Sequence, residues 1–338
     1  MAAYTTIDDP GAYFQAKTYT GNGTAIGSGG LAVTLDGDTD MSPNLVWIKG
    51  RSTTYSSQLY DTVRGVTKRI FSDLTTAEET DTEGLTAFGS DGFTLGSNAG
   101  VNTSSGTFVA WNWKESADAG FDIVSFTGNE TVRTVAHSLS AVPHFMLMKS
   151  TAGTAGWGVY HHKTSSTPAE DYLYLDTTAA YGDSVNFWND TAPTDSVFSL
   201  GASGVSNKTG AMIGYLWSEK QGFSKFGSYE GNSSSDGTFV YLGFRPAWVV
   251  YKPIDATDNW EMLDSKRDIG NPNDTLVYAN LSNAESDPSS TNDRVDFLSN
   301  GLKFRDGGGA SNGSGTYIYM AFAEAPFVNS EGVPCNAR

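Results

Sequence analysis

The sequence has little cysteine, no long hydrophobic run and a shortage of positive charge. Its 338 residues include one cysteine, Cys335, which excludes an internal disulfide framework and a cysteine-rich zinc site. No apolar run approaches the roughly 18–20 residues that a membrane-spanning helix needs, so membrane insertion is not expected. The first residues carry neither a basic nor an apolar segment, so we do not expect a secretory signal.

The charge balance also narrows the function classes. Lysine and arginine together number 21 against 38 acidic residues, which gives a net charge of −17. This acidity argues against a nucleic-acid partner, because phosphate contacts need a basic face. The chain does contain 38 glycines and 12% aromatic residues, a composition typical of a folded, turn-rich protein.

A repeat of about a hundred residues organises the chain, and it occurs three times. One block runs from a glycine through apolar residues to a glutamate, at Gly106–Glu115, Gly210–Glu219 and Gly315–Glu324. A second block runs from a proline to a lysine, at Pro43–Lys49, Pro143–Lys149 and Pro246–Lys252. A third ends in Gly-Asn, at Asn22, Asn129 and Asn232. These blocks predict modules at residues 14–116, 121–222 and 223–327, with an N-terminal arm at 1–13 and a C-terminal tail at 328–338.

The sequence pattern predicts that each module is a set of short strands. The repeated blocks are nearly continuous apolar runs rich in β-branched and aromatic residues, which is typical of strands buried on both faces or central in a sandwich. We therefore predict an all-β fold of three tandem β-sandwich modules, similar to jelly rolls. Hairpins are predicted at Asp91-Gly92, Asn300-Gly301 and Asn312-Gly313, and the glycine-rich segment 306–315 is predicted as a hairpin tip. The best helical candidate is Leu74–Gly84.

Charged residues recur at fixed positions in all three modules. They are Lys49, Lys149 and Lys252, and Glu115, Glu219 and Glu324. Recurrence favours a structural role over catalysis, because an enzyme normally keeps one working site. We predict that each lysine forms an ion pair with the glutamate of its own module at the rim.

A further repeated position differs between the modules. Asp61 and Asp264 are each followed three residues later by an arginine, whereas the middle module has His161-His162-Lys163. Adjacent residues of a strand point to opposite faces, so these histidines do not predict a metal site. The segment 36–40 begins like a calcium-binding loop but lacks the required glycine and glutamate, which leaves only an irregular Ca²⁺ site open. We predict neither a metal nor a cofactor.

Several aromatic residues stand next to small polar residues, an arrangement that suits either sugar stacking or core packing. They are Tyr55, Tyr60, Trp157, Tyr160, Trp188 and Trp260. A ligand pocket is expected first where the middle module departs from the other two. Its candidate residues are Trp157, Tyr160, His161 and His162.

The assembled blocks resemble a family of bacteriophage virion proteins that is common in marine phages. The resemblance rests on motifs across nearly the whole chain, namely YTGNG at 19–23, PNLVWIK at 43–49, YDTVRG at 60–65, SDGFTLGS at 90–97 and TYIYMAFAEAPF at 316–327. The middle module departs most, since SVFSLG at 196–201 replaces the SDGF turn. The family supplies no catalytic residues that this chain inherits.

The resemblance implies an exterior virion protein without enzymatic activity. A tail fibre or tail-associated protein for host attachment is expected, with other virion proteins and a host surface glycan or protein as partners. Phage fibres are often trimers, so a homotrimer is expected as well. A capsid-surface decoration or head fibre is the alternative within this class. A glycan depolymerase is the alternative from another class, and it needs two carboxylates about 5–10 Å apart in a cleft.

Overall fold

Three groups of antiparallel strands form the structure, a computed structural model that describes residues 3–286 and 295–334. Cys335 lies outside the described residues. We call the groups modules 1, 2 and 3, with the residue bounds 14–116, 121–222 and 223–327. Beyond three four-residue α-helices and two short 3-10 turns, the regular elements in the described part of the chain are strands. The predicted all-β class is confirmed.

Module 1 contains nine strands and one short helix. They are β1 (Phe14–Thr20), β2 (Leu31–Thr34), β3 (Leu45–Gly50), β4 (Gln58–Asp61), β5 (Lys68–Phe71), β6 (Glu79–Thr80), β7 (Leu85–Gly89), β8 (Gly92–Leu95), α1 (Ala99–Asn102) and β9 (Thr107–Trp113). The large sheet has the order β1-β9-β3-β4-β5-β6, and the small sheet has the order β2-β8-β7.

Module 2 repeats this plan with eight strands. They are β10 (Phe121–Gly128), β11 (Arg133–Ala136), β12 (Phe145–Ser150), β13 (Trp157–His161), β14 (Asp171–Tyr174), β15 (Gly182–Asp183), α2 (Val185–Trp188), β16 (Val197–Leu200) and β17 (Gly210–Trp217). The large sheet has the order β10-β17-β12-β13-β14-β15, and β11 pairs with β16 in the small sheet.

Module 3 has the same arrangement in its described residues. Its elements are β18 (Ser224–Gly231), β19 (Phe239–Tyr241), β20 (Phe244–Pro253), β21 (Glu261–Asp264), β22 (Val277–Tyr278), β23 (Val295–Leu298), β24 (Gly301–Phe304), α3 (Gly309–Asn312) and β25 (Gly315–Pro326). The large sheet has the order β18-β25-β20-β21-β22, and the small sheet has the order β19-β24-β23.

Side-chain alternation along the repeated strands divides them between two cores. In β9, Phe108 and Ala110 face a core inside module 1, whereas Val109, Trp111 and Trp113 face a second core. Successive strand residues point to opposite faces, so an apolar run with both faces buried serves two layers at once. The buried runs predicted from the sequence are therefore confirmed.

The second core is shared by all three modules. It joins Trp113 of module 1, Trp217 of module 2 and Phe322 of module 3, which occupy equivalent positions in the repeat. The rings of Trp113 and Trp217 lie 6.2 Å apart, and those of Trp113 and Phe322 lie 5.8 Å apart. The modules are thus not independently packed domains, because each buries one face of its large sheet against the other two.

An asparagine pair fixes the Gly-Asn motif that begins each module. In module 1 the Asn102 side chain accepts a hydrogen bond from the Asn22 N–H at 2.8 Å and donates to the Asn22 side chain at 3.0 Å. Asn207 with Asn129, and Asn312 with Asn232, repeat this exchange. The motif therefore serves the scaffold.

Two of the three predicted hairpins are confirmed. The turn at Asp91-Gly92 joins β7 to β8, and the turn at Asn300-Gly301 joins β23 to β24. Gly92 has φ of 112°, and a Cβ there would lie 2.0 Å from the Val33 carbonyl oxygen, so glycine is required. The third prediction is wrong, since Asn312 ends α3 and the segment predicted as a hairpin tip contains that helix.

The predicted helix at Leu74–Gly84 is also wrong. The segment contains the short strand β6, and its acidic residues pair with basic residues of β5 and the preceding turn. The Leu74 carbonyl accepts a hydrogen bond from Lys149 of module 2 at 3.0 Å. Contacts to β5 and to the neighbouring module outweigh a weak local helix propensity.

Candidate functional site

The repeated lysines bind the neighbouring module instead of their own glutamates. Lys49 Nζ donates to the Leu281 carbonyl of module 3 at 2.6 Å, and Lys252 Nζ donates to the Thr178 carbonyl of module 2 at 2.9 Å. Together with Lys149 and Leu74, these bonds link each module to the preceding one and close a ring. Burial lowers the pKa of all three lysines to about 8.

The predicted lysine–glutamate ion pairs are therefore wrong. Glu115 accepts a hydrogen bond from the Ile123 N–H of module 2, and Glu219 accepts one from the Phe226 N–H of module 3. Glu324 pairs with Arg245 at 3.1 Å. The glutamates lie at the boundaries between modules. The ammonium groups of the lysines instead donate to main-chain carbonyls, and the nearby carboxylate of the same module is an aspartate, Asp73, Asp176 or Asp258.

The position shared by Asp61, His161 and Asp264 makes a second set of cyclic contacts. Asp61 accepts a hydrogen bond from the Tyr215 hydroxyl of module 2 at 2.7 Å. Asp264 accepts one from the Trp111 indole of module 1 at 3.1 Å. In both modules the arginine three residues later pairs with the aspartate. The charged side chains at these repeated positions are thus hydrogen-bonded or ion-paired within the chain.

Most residues of the predicted ligand pocket are buried. Trp157 donates its indole N–H to the Phe71 carbonyl of module 1 at 2.8 Å, and Tyr160 packs against Trp188 in the core of module 2. His161 is 1% exposed. These three side chains are not accessible to a ligand. The prediction that they line a pocket is therefore wrong. Only His162 reaches a surface groove.

The other aromatic candidates are also core residues with one exception. Tyr60, Trp188 and Trp260 are at most 1% exposed, whereas Tyr55 is 44% exposed. Core packing therefore explains their positions beside small polar residues. Among these aromatic candidates, only Tyr55 is exposed enough to stack on a sugar ring.

The groove reached by His162 lies between modules 2 and 3 and has a volume of about 760 Å³. His144, Lys163 and Glu219 of module 2 form one side of it. Strands β18 and β19 of module 3 form the other side and supply Lys225, Phe239 and Tyr241. We call this the junction 2–3 groove.

Two histidines form the floor of the junction 2–3 groove. The rings of His144 and His162 lie 4.4 Å apart, and His162 Nε2 donates to the Phe226 carbonyl at 2.7 Å. His144 Nδ1 accepts the Glu219 N–H at 3.0 Å. Burial, with a smaller effect of His162, lowers the pKa of His144 to about 4, so this ring is neutral at pH 7.

The opposite wall presents two exposed aromatic side chains. Phe239 is 44% exposed and Tyr241 is 47% exposed. The Lys225 ammonium lies 5.3 Å from the centre of the Tyr241 ring and donates to the Tyr241 carbonyl at 2.8 Å. The Tyr4 hydroxyl lies 3.2 Å from the Tyr241 hydroxyl and further fixes this ring.

Phe239 and Tyr241 were not among the residues predicted from the sequence, although the repeat contains a signal for them. The pairing registers place Phe239 and Tyr241 on outward positions either side of the buried Val240. The equivalent residues of the other modules are Ala32 and Thr34, and Thr134 and Ala136. Aromatic residues at outward positions of only one copy mark a surface that the scaffold does not require.

Metal binding receives no support from the described residues, where no group of three or more histidine, cysteine, aspartate or glutamate side chains is arranged to hold an ion. In the segment 36–40, Asp36 lies 3.4 Å from the Lys17 ammonium and 3.3 Å from the Lys266 ammonium. Among the described residues, no helix has the length and apolar character to cross a membrane.

Residues 9–326 match a family described as a domain of unknown function, DUF7483. The chain belongs to this family. The match spans all three modules, so the DUF7483 unit coincides with the closed ring of modules and their shared core. No curated protein and no solved structure matches the chain.

Proposed function

We propose that this DUF7483 protein is a non-enzymatic component of the exterior of a bacteriophage virion, a tail fibre or tail-associated protein that attaches the particle to its host. The motif resemblance across the chain supports the virion assignment. The proposal places the junction 2–3 groove at the contact with the host surface. Other virion proteins then hold the ring of modules in the particle.

One observation carries the attachment role. Positions that recur in all three modules make contacts within the ring, as Lys149 does at the repeated lysine and Asp61 does at the position that His161 and Asp264 share with it. Residues that differ between the modules, among them Lys225, Phe239 and Tyr241, line the junction 2–3 groove, where the two aromatic rings are exposed. Recurrent residues build the scaffold, and the divergent groove has the composition of a recognition surface.

Binding without turnover is favoured over glycan cleavage by the geometry of the acidic junction. Glu115 and Asp122 are two carboxyl groups that meet at the boundary between modules 1 and 2, and their side chains are hydrogen-bonded to each other. Hydrolysis of a glycosidic bond needs the carboxyl groups about 5–10 Å apart, with the sugar between them. A directly bonded pair leaves no room for the sugar.

The resemblance also implies a homotrimer, and the ring gives that expectation a specific form. The three modules already satisfy one another's buried faces within a single chain. A homotrimer of the chain therefore has to form through the outer surfaces, and we propose it as an assembly within the particle. Light scattering on the purified chain measures whether three chains already associate outside the particle.

Immunogold labelling of the intact particle tests the virion assignment. We expect the label on the tail exterior, and we expect the purified protein to compete with particles for host cells. Label on the head surface would favour the capsid-decoration alternative. Absence from the particle, or no competition at saturating protein, would overturn the attachment function.

A further inference from the structure

The junction 2–3 groove differs in chemistry from the two equivalent junctions. At the position of Lys225, module 1 has Gln15 and module 2 has Asp122. At the position of Lys163, module 1 has Val63 and module 3 has Lys266. The junction between modules 2 and 3 is therefore the one that combines two lysines with the exposed rings of β19.

We propose that the junction 2–3 groove binds an acidic saccharide, with its anionic group at Lys163 and Lys225 and a sugar ring against Tyr241 and Phe239. This inference rests on the proposed attachment function and names the ligand class of the same groove. The volume of about 760 Å³ falls within the range of small-ligand sites and suits a few sugar units.

Two exposed aromatic rings favour a sugar as the ligand. The apolar C–H face of a pyranose packs on a flat ring, and its hydroxyl groups need hydrogen-bonding side chains around that ring. The groove supplies such groups in Ser228 and Gln221, which are exposed, and in the Glu219 carboxylate, which accepts hydrogen bonds from hydroxyls. A purely apolar ligand would leave these polar groups without partners.

The two lysines favour an anionic group on that sugar. Lys163 is exposed, and both lysines act on the Glu219 carboxylate electrostatically, so the three charges lie close together. Two cations against one anion leave a local positive excess on a chain whose net charge is −17. An anionic ligand is repelled by most of this surface and is attracted to this groove, which adds specificity.

The histidines contribute hydrogen-bonding capacity at pH 7, not charge. His162 donates Nε2–H to the Phe226 carbonyl, and burial lowers its pKa. The cationic character of the groove therefore comes from its lysines, and two lysines suit one carboxylate or sulfate better than a run of phosphates.

Calorimetric titration of the full chain tests the proposal. The probes are a trigalacturonate, a neutral galactotriose of the same length, and a sulfated galactotriose. We expect the acidic trisaccharides to bind at least about tenfold more tightly than the neutral one, a difference typical of one charge-assisted contact. Preference for trigalacturonate or for the sulfated probe identifies the anionic group, and either result supports the proposal.

Matched variants locate the binding. The double variant Phe239→Ala, Tyr241→Thr copies module 1, and Lys163→Gln removes one cation. We expect each to lower the affinity at least about tenfold. Lys266→Gln is the control, because Lys266 is the equivalent exposed lysine at the junction between modules 3 and 1, and we expect no change. Near-ultraviolet circular dichroism verifies the fold of each variant.

Three results would overturn the acidic-saccharide inference: no binding of any probe at millimolar concentration, equal affinity for neutral and acidic probes, or binding unaffected by the groove variants. If the protein still competes with particles for host cells in these cases, the attachment function stands and the ligand class is wrong. If competition also fails, the attachment function itself is wrong.

Discussion

The Nε2 atom of His161 lies 3.1 Å from the main-chain oxygen of Tyr319, across the boundary between modules 2 and 3. At the equivalent boundaries an aspartate accepts a hydrogen bond from an aromatic side chain, Tyr215 or Trp111. The residue equivalent to these donors in module 3 is Met320, whose side chain has no N–H or O–H to donate. His161 is thus matched to a partner strand that offers a backbone acceptor.

His161→Asp is expected to destabilise the protein at pH 7. The variant buries a carboxylate beside Met320, and Thr164 stands where the other modules have an arginine. An unpaired buried charge costs about 3–5 kcal/mol of folding free energy. Urea unfolding followed by tryptophan fluorescence measures the change.

Restoring the other two parts of the arrangement provides the control. The triple variant His161→Asp, Thr164→Arg, Met320→Tyr reproduces the set found around Asp61. We expect it to recover most of the stability lost by the single variant. If His161→Asp alone unfolds at the urea concentration of the wild type, the matched-pair explanation is wrong.

His161 also predicts a pH dependence of stability. Burial lowers its pKa to about 3, from about 6.5 in the unfolded chain. As the pH falls below 6.5 the unfolded chain takes up a proton that the folded protein refuses, so the contribution to stability is lost between pH 6.5 and 3. Other groups titrate in this range, so we compare the wild type with His161→Gln.

We expect the stability of the wild type relative to His161→Gln to fall by about 2 kcal/mol between pH 7 and pH 5, since each pKa unit is worth about 1.4 kcal/mol. Glutamine keeps a donor for the Tyr319 carbonyl and does not titrate. Unfolding curves at several pH values give this difference. A difference that does not change with pH would contradict a buried, neutral His161.

The sequence predicted the modules because scaffold residues recur, and it predicted the strand character because both faces of those strands are apolar. It failed where a residue is satisfied by another module. Lys149 was assigned a partner in its own module, but its ammonium reaches the Leu74 carbonyl of module 1. A repeat indicates that a residue has a structural role, but it does not show which module supplies the hydrogen-bond partner of that residue.

The same reason explains the misplaced ligand site. Divergence of the middle module pointed to His161, whose partner strand in module 3 has Met320 where the other two boundaries have an aromatic donor. It also pointed to Trp157, which is buried and donates its indole N–H to the Phe71 carbonyl of module 1. The outward residues Phe239 and Tyr241 diverge without a compensating change inside the ring. To separate these two kinds of divergence, one must know which strand positions face solvent. The structure shows this for Phe239 and Tyr241, because they alternate with the buried Val240 in β19.

Two tryptophans of module 2 should respond differently to the same substitution. Trp157 donates its indole N–H to the Phe71 carbonyl, whereas the Trp217 indole N–H has no hydrogen-bond partner among the described residues. Phenylalanine already occupies the position equivalent to Trp217 in module 3, at Phe322.

Both Trp→Phe variants lose similar apolar area, so their difference reports the hydrogen bond. We expect Trp157→Phe to cost about 1–3 kcal/mol more than Trp217→Phe, because it leaves the buried Phe71 carbonyl without its donor. Thermal and urea unfolding of both variants give the comparison. Equal losses would mean that the indole–carbonyl bond between modules 1 and 2 contributes nothing.

The acidic junction gives the last prediction. Burial and the hydrogen bond to Asp122 raise the pKa of Glu115 to about 7, while the Asp122 side chain accepts the Ser138 N–H at 2.6 Å. The folded protein holds a proton that the unfolded chain releases near pH 4.5, so this pair stabilises the fold at acid pH and loses that contribution as the pH rises to 7.

Glu115→Gln fixes the neutral form and retains an acceptor for the Ile123 N–H. We expect the variant to be more stable than the wild type at pH 8, by about 1 kcal/mol after allowance for solvent screening at this half-buried site, and to gain nothing at pH 5. Glu324→Gln is the matched control, because Glu324 pairs with Arg245 and its loss should lower stability slightly at both pH values. If Glu115→Gln shows the same difference from the wild type at pH 5 and pH 8, the two carboxyl groups do not share a proton in the folded protein.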